Sequence, residues 1–302
     1  VRGDAAQGAV EGLGADAARG DLTDPGSLER AVVGVQGVIH LASLLKMPWK
    51  SEFRTTNIGG TDALARACAG QATPPVFVVV SSLAAGGPSP AGRARTEADL
   101  DAPVSKYGRM KRDCEQAALA VAARVPVTVV RPPMVFGDGD RWALELFKSA
   151  ARGLHVVPTW RESQLSLIHA ADLAACLVSA LTHGERAHPD EPSRGLYYAA
   201  ASERPTYADL GRWVAQAVGV KPPRIIRLPG AATAVAAACS ELIARLRDRP
   251  TILNLDKWRE ATAGSWICDP AKAVRDLSLS CPPTIDRLAE TAAAYRSVGW
   301  LT

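Results

Sequence analysis

The sequence lacks several features that mark nucleic-acid-binding, zinc-binding and membrane-spanning chains. It has no block of lysines or arginines; 35 basic residues face 31 acidic ones, and the net charge is only +4. A polybasic patch for nucleic acid is therefore not expected, and a mildly basic surface is. The six cysteines, Cys68, Cys114, Cys176, Cys239, Cys268 and Cys281, form no C-x-x-C pair and show no zinc-finger spacing. Several sit in alanine-rich stretches, where a free thiol packs as a small hydrophobe, so a reducing cytoplasm is the expected compartment. Val1-Arg2-Gly3-Asp4 lacks the apolar stretch of a signal peptide. No apolar run approaches the roughly 20 residues that span a bilayer. The longest, Leu228 to Cys239, continues to Arg247 as an amphipathic helix with a basic end. It reads either as a packed helix or as a lid or membrane-surface helix.

What is present is a core. Of 302 residues, 47% are hydrophobic, enough for one large domain or two modest ones. Short apolar runs alternate with helical patterns. Gly37–Ala42, Val76–Ser81 and Val127–Val130 read as buried strands; Asn57–Gly70 and Tyr107–Ala123 read as helices between them. Strands this apolar belong to a parallel sheet covered on both faces, so the expected fold is α/β, a doubly wound parallel sheet. Further on, Trp142–Gly153, Ala171–Thr182 and Thr206–Val218 read as helices, and Ser166–His169 and Leu196–Ala199 as short strands. Residues 183–194 form an exposed loop. The last hundred residues are mainly helical.

The chemistry centres on Tyr107-Gly108-Arg109-Met110-Lys111. Four residues apart on a helix, a phenol and an ammonium project from one side. The ammonium favours the phenolate, so the pair can exchange a proton with a substrate oxygen. Upstream, Ser81-Ser82 closes a buried strand, where open α/β sheets place ligands. Ser82 either bonds that same oxygen or merely caps the next turn. His40 and His169 lie among apolar residues without a carboxylate or cysteine cluster and are expected to be core histidines, not metal ligands.

With these residues in view, the chain resembles the extended short-chain dehydrogenase/reductase family, also called the epimerase/dehydratase family, over nearly its whole length. Asp21-Leu22-Thr23-Asp24 is similar to the family's acidic turn near the adenine, and Ile39-His40-Leu41-Ala42-Ser43 to its strand-end motif beneath the cofactor. Asn57-Ile58-Gly59-Gly60-Thr61 looks like its helix start, and Ser82, Tyr107 and Lys111 match its catalytic triad. Arg131-Pro132-Pro133-Met134-Val135-Phe136-Gly137 looks like the segment passing the nicotinamide, and Ser166–Leu173 like a late structural motif. The resemblance implies catalytic roles for Ser82, Tyr107, Lys111 and Asn57. It implies cofactor contacts for Arg2, Asp21, Leu22, Leu41, Ala42, Ser43, Asn57, Tyr107, Lys111 and Pro133. It implies a Rossmann-like domain over residues 1–138, rejoined by 166–200, with a mainly helical substrate region over 139–302.

The family's first strand and glycine-rich turn find no counterpart before Val1-Arg2, which looks like the end of its second strand. The Rossmann-like sheet is accordingly expected to lack its first strand and expose a strand edge. Weak cofactor binding by this chain is expected too, since that turn holds the pyrophosphate. A basic residue at Arg2 tilts the cofactor from NAD towards NADP.

The expected activity is NAD(P)-dependent interconversion of a secondary alcohol and a ketone, as in the 3β-hydroxysteroid dehydrogenase and dihydroflavonol reductase branch. Leu83-Ala84 after Ser82, where 4,6-dehydratases carry Asp-Glu, disfavours sugar dehydration. A nucleotide-sugar epimerase and a non-catalytic cofactor-sensing relative stay open. An apolar small-molecule substrate is expected, with Trp142, Trp160 and Leu228 candidates for its pocket, and the family's habit implies a homodimer.

Overall fold

The computed structural model describes residues 3–44, 51–249, 251 and 253–301. In chain order the elements are helix α1 (Asp4–Glu11), α2 (Pro25–Ala31), strand β1 (Gly37–His40), α3 (Ser51–Arg54), a π turn (Thr55–Gly59), α4 (Gly60–Ala69), β2 (Val76–Val80) and α5 (Leu83–Gly86). Then come α6 (Lys106–Leu119), β3 (Val127–Arg131), β4 (Met134–Phe136), α7 (Arg141–Ala151), β5 (Leu154–Val157), β6 (Leu167–His169), α8 (Ala170–Thr182) and β7 (Leu196–Tyr198). The chain ends with α9 (Tyr207–Val218), β8 (Arg224–Arg227), α10 (Gly230–Leu246), α11 (Leu255–Thr262), α12 (Ala271–Leu277) and α13 (Thr284–Ser297).

The main sheet is parallel, in the order β1-β2-β3-β7. Period-two alternation sends Phe77 and Val79 to one face, where they meet Leu64, Ala65 and Cys68 of α4 and Ala118 of α6. It sends Val78 and Val130 to the other, against Leu173, Cys176 and Leu177 of α8. Both faces are thus buried, which explains why these strands carry no polar alternation. A second core joins α7, α9 and α13 through Phe147, Leu210, Val214, Leu288 and Tyr295. Helix α9 starts at a capping box between Thr206 and Asp209 and stops at Gly219 in the left-handed region.

The structure departs from the expected elements locally. Strand β1 stops at His40, and Leu41 to Leu44 form a loop beyond it. The helix expected from Asn57 begins earlier, at Ser51, and passes through the π turn. Strands β4, β5 and β8, with no counterpart among the expected strands, join β6 in two small two-stranded parallel sheets, β4-β6 and β5-β8. Each is only three or four residues long, too short for periodicity to register. Arg2 lies outside the described residues.

Candidate active site

The C-terminal ends of β1, β2 and β3 open on one side of the sheet, and the candidate residues gather there. A small cleft is lined by His40, Ala42, Ser43, Asn57, Thr61, Val79, Val80, Lys111 and Cys114. Four residues expected from the sequence, Ala42, Ser43, Asn57 and Lys111, therefore converge. Asn57 sits in the π turn, a local widening of a helix often found at functional sites. Its Oδ1 accepts from the Leu44 amide at 2.7 Å and from the Ser43 hydroxyl at 3.1 Å, and its Nδ2 donates to the Leu44 carbonyl at 3.0 Å. The backbone donor and acceptor of Leu44 fix which end of the amide is which. Asn57 thereby clamps the loop after β1 that carries Leu41, Ala42 and Ser43.

The hydroxyl of Thr61 donates to the Asn57 carbonyl at 2.7 Å and lies 3.0 Å from His40 Nε2. Its one proton is thus used, so His40 Nε2 must carry the imidazole proton and donate. Burial, with the neighbouring Lys111 charge, pushes the His40 pKa down to about 4. His40 is a neutral structural donor, as the sequence suggested. His169 is satisfied on one side only. Its Nδ1 accepts from the Ala171 amide at 3.3 Å, capping α8, while its buried Nε2 has no hydrogen-bond partner among the described residues.

Tyr107 and Lys111 lie on α6 as expected, and the same four-residue step continues to Glu115. Lys111 is 8% exposed; its Nζ donates to the Val80 carbonyl at 3.1 Å. No carboxylate among the described residues pairs with it. A buried ammonium with one partner among the described residues retains two donors for the cleft. Glu115 fixes the helix from below. It accepts from Arg131 Nε and Nη2 at 2.8 and 2.6 Å and from the Ser81 hydroxyl, while Arg131 also binds Asp101 bidentately at 2.6 and 2.9 Å. Arg131 and Glu115 are both buried. Burial disfavours the Arg131 cation, yet its bonds to Glu115 and Asp101 hold its pKa above the usual arginine value. This network ties α6 to β3.

The top of α6 is accounted for amide by amide. Gly108 and Arg109 donate to the side chain and carbonyl of Ser105 at 2.8 and 3.1 Å. Lys106 and Tyr107 donate to the two carboxylate oxygens of Asp256, on α11, at 2.7 and 3.0 Å. The three amides of the first turn, Lys106, Tyr107 and Gly108, are thus met by side chains, and Arg109 makes the first bond of the helix itself. Lys257 Nζ stands 5.0 Å from the centre of the Tyr107 ring. The Tyr107 hydroxyl makes no hydrogen bond with a described residue and the ring is half-buried.

Ser82 precedes α5, and its Oγ accepts from the Ala84 amide at 3.2 Å. The capping reading is therefore realised, but the hydroxyl proton stays available. Ser82 and Tyr107 flank the contact of α5 with α6. A Cβ on Gly108 would stand 2.3 Å from the Ala84 carbonyl oxygen, so only glycine lets the two segments meet this closely. The remaining expected residues lie away from the cleft. The Asp21 carboxylate accepts from the Thr23 amide and hydroxyl. Leu22 presses on Gly60 at the start of α4. Leu41 is exposed, and Pro133 is half-buried between β3 and β4. Trp142 and Trp160, candidates for a pocket wall, are exposed.

A doubly wound parallel sheet with a buried lysine in the cleft at its strand ends, and a tyrosine and a serine beside the contact of α5 with α6, is an open α/β frame of the kind that takes ligands at its strand ends. Comparison with known proteins carries this further. Residues 4–192 match the model of the NAD dependent epimerase/dehydratase family. The ceramide reductase of Caulobacter vibrioides is 32% identical over 284 residues, covering 93% of this chain and 81% of that protein. The chain belongs to the NAD dependent epimerase/dehydratase family. The sterol demethylase protein B of Methylococcus capsulatus is 25% identical, covering 97% of this chain and 88% of that protein. The solved UDP-glucose 4-epimerase of Thermotoga maritima has the same fold, with a TM-score of 0.71 over 94% of this chain and 85% of that one at 17% identity.

Proposed function

We propose that this chain is an NAD(P)-dependent reductase that interconverts a ketone and a secondary alcohol on an apolar, lipid-like substrate. The observation that carries it is the α6 stripe: among the described residues the Tyr107 hydroxyl has no hydrogen-bond partner and the buried Lys111 no counter-charge, and Glu115 ties their helix to β3. An unpaired buried ammonium is costly unless a ligand meets it. Its two spare donors, beside Ala42 and Ser43, suit the ribose hydroxyls of a dinucleotide. Arg2 remains the basis for favouring NADP over NAD. Two of the relatives are named for work on a ceramide and a sterol, which supports an apolar substrate.

A bound nicotinamide supplies or accepts the hydride. Tyr107 gives its phenolic proton to the substrate oxygen as the carbonyl is reduced and recovers it in the reverse direction. Lys111, one helical turn below, stabilises the phenolate that this leaves. Ser82 donates its hydroxyl proton in a hydrogen bond that orients the same oxygen. Asn57 acts by holding the loop from Leu41 to Leu44, not by touching substrate. Leu83 and Ala84 are buried and apolar, so no carboxylate follows Ser82 to promote an elimination. In the same reading, residues 1–138 with 166–200 bind the dinucleotide and 139–302 form the substrate region.

The test is turnover of long-chain lipid ketones with NADH and NADPH at saturating dinucleotide. Tyr107→Phe is expected to lose at least about 100-fold in kcat. A wild-type chain that reduces no ketone, or a variant within twofold of it, would overturn the proposal.

A further inference from the structure

Helix α10 is built inside out. Over 17 residues, about 25 Å, its buried positions are Thr233, Ala237, Glu241 and Ala244. The Thr233 hydroxyl lies 2.9 Å from the Gly230 carbonyl of its own helix and 3.2 Å from the Pro158 carbonyl, and Glu241 accepts from the Leu255 amide at 3.0 Å and from Arg245. The side turned to the protein is thus partly polar. The side turned to solvent is apolar: Val235 is 64% exposed, Leu242 58%, Ile243 50% and Leu246 79%, with Cys239 exposed among them. A helix resting on a globular core shows the reverse, and an apolar strip of this length is a contact surface.

Charge decides what it contacts. Arg245 is paired with Glu241, and beyond it the exposed end of α10 carries Arg247 and Arg249 against one acid, Asp248. A second copy packed antiparallel would set these arginines against the partner's positive helix start, which follows β8 and its Arg224 and Arg227. A copy packed parallel would set arginine against arginine. An anionic bilayer meets neither conflict and takes both the apolar strip and the basic end.

We infer that the exposed face of α10 docks the protein on an anionic membrane surface. Helix α10 packs on α11, which caps α6 at Tyr107 through Asp256. Docking there holds the substrate side of the candidate site at the layer where an apolar ketone resides. The inference deepens the lipid reading above and so rests on it, but vesicle binding needs no turnover and is read separately.

The experiment is co-sedimentation of the full chain with vesicles of phosphatidylglycerol and phosphatidylcholine, against phosphatidylcholine alone. The chain is expected to sediment with the anionic vesicles and far less with the neutral ones. Leu242→Gln with Ile243→Gln is expected to lower the partition at least roughly 10-fold. Arg247→Gln with Arg249→Gln is expected to lower it roughly 30-fold, about 5-fold for each charge. A polarity-sensitive fluorophore on Cys239 should shift to the blue on anionic vesicles, a readout that needs no substitution on this face. Absence of anionic-vesicle binding, or binding that neither pair of substitutions weakens, overturns the inference. So does a dimer in sedimentation velocity that Leu242→Gln with Ile243→Gln dissociates, since the face would then serve a second copy. Vesicle binding without ketone turnover would leave the docking surface standing and sink the lipid-reductase reading instead.

Discussion

Replacing Asp256 by Asn changes one atom of a residue 149 positions from Tyr107, yet the structure assigns it a defined cost. The buried carboxylate accepts from two backbone amides at the start of α6, Lys106 at 2.7 Å and Tyr107 at 3.0 Å. An asparagine side chain offers one acceptor oxygen, so one amide is left facing an NH2 group. A buried donor without its partner costs about 1–3 kcal/mol. Removing the negative charge from a helix start costs about 0.3–1 kcal/mol, and up to about 2 where it is buried. The expected loss is about 2–4 kcal/mol, or a fall in Tm of roughly 5–15 °C at the few degrees per kcal/mol usual for larger domains. The control is Asp286→Asn. Asp286 stands in the first turn of α13, but it is exposed and its side chain bonds no described residue. It should cost no more than about 0.5–1 kcal/mol. Urea and thermal unfolding of both variants read the difference. If Asp256→Asn proves no more harmful than Asp286→Asn, the amide accounting at the top of α6 is wrong. If it holds, kcat should fall with the loosened Tyr107 while the KM for dinucleotide stays near its wild-type value, because the Asn57 clamp and Lys111 are untouched.

Two further outcomes follow from the buried groups. Glu115→Gln leaves the Arg131 cation with Asp101 but without its second carboxylate, and should cost about 3 kcal/mol, the low end for a broken buried pair; a loss under about 1 kcal/mol by urea unfolding would show that the network does not tie α6 to β3. His40 has its folded pKa lowered to about 4 from 6.5. Between those values the unfolded chain binds a proton that the folded chain refuses, so stability falls as pH drops through this window. The share from His40 is about 2 kcal/mol between pH 7.5 and pH 5, and His40→Gln, which can still donate to Thr61, should remove that part of the slope.

How much of this was legible in the sequence depended on the range of the interaction. Val76–Val80, apolar throughout, and Val127–Val130, apolar but for Thr128, announced a sheet buried on both faces, since runs this apolar and this short suit a strand covered on both sides. Helix α9 was legible because Thr206, Asp209 and Gly219 are local signals of a start and a stop. Strands β4, β5 and β8 were not, since three or four residues pair only through partners that lie 33 to 70 positions away. The π turn was invisible for a related reason: nothing in Thr55–Gly59 forces the wider turn, and its Asn57 is held by Leu44 across a loop.

The same division runs through the candidate site. Tyr107 and Lys111 could be read together because a helix brings residues four apart onto one side. Glu115 continues that step, and the spacing alone could have drawn attention to it; what it could not supply was Arg131, which meets Glu115 only after β3 has folded beneath α6. Asp256 left no local mark at all. Its neighbours Asn254 and Lys257 read as an ordinary helix start, and an acid beside a helix start reads as a cap for that helix. In the fold Asn254 caps its own helix by accepting from the Lys257 amide, which frees the Asp256 carboxylate to serve the first turn of another. The chemistry of the stripe was thus local, and what holds the stripe at the mouth of the cleft was not. Substitutions at Asp256 and Glu115 should therefore disturb Tyr107 without ever approaching a substrate.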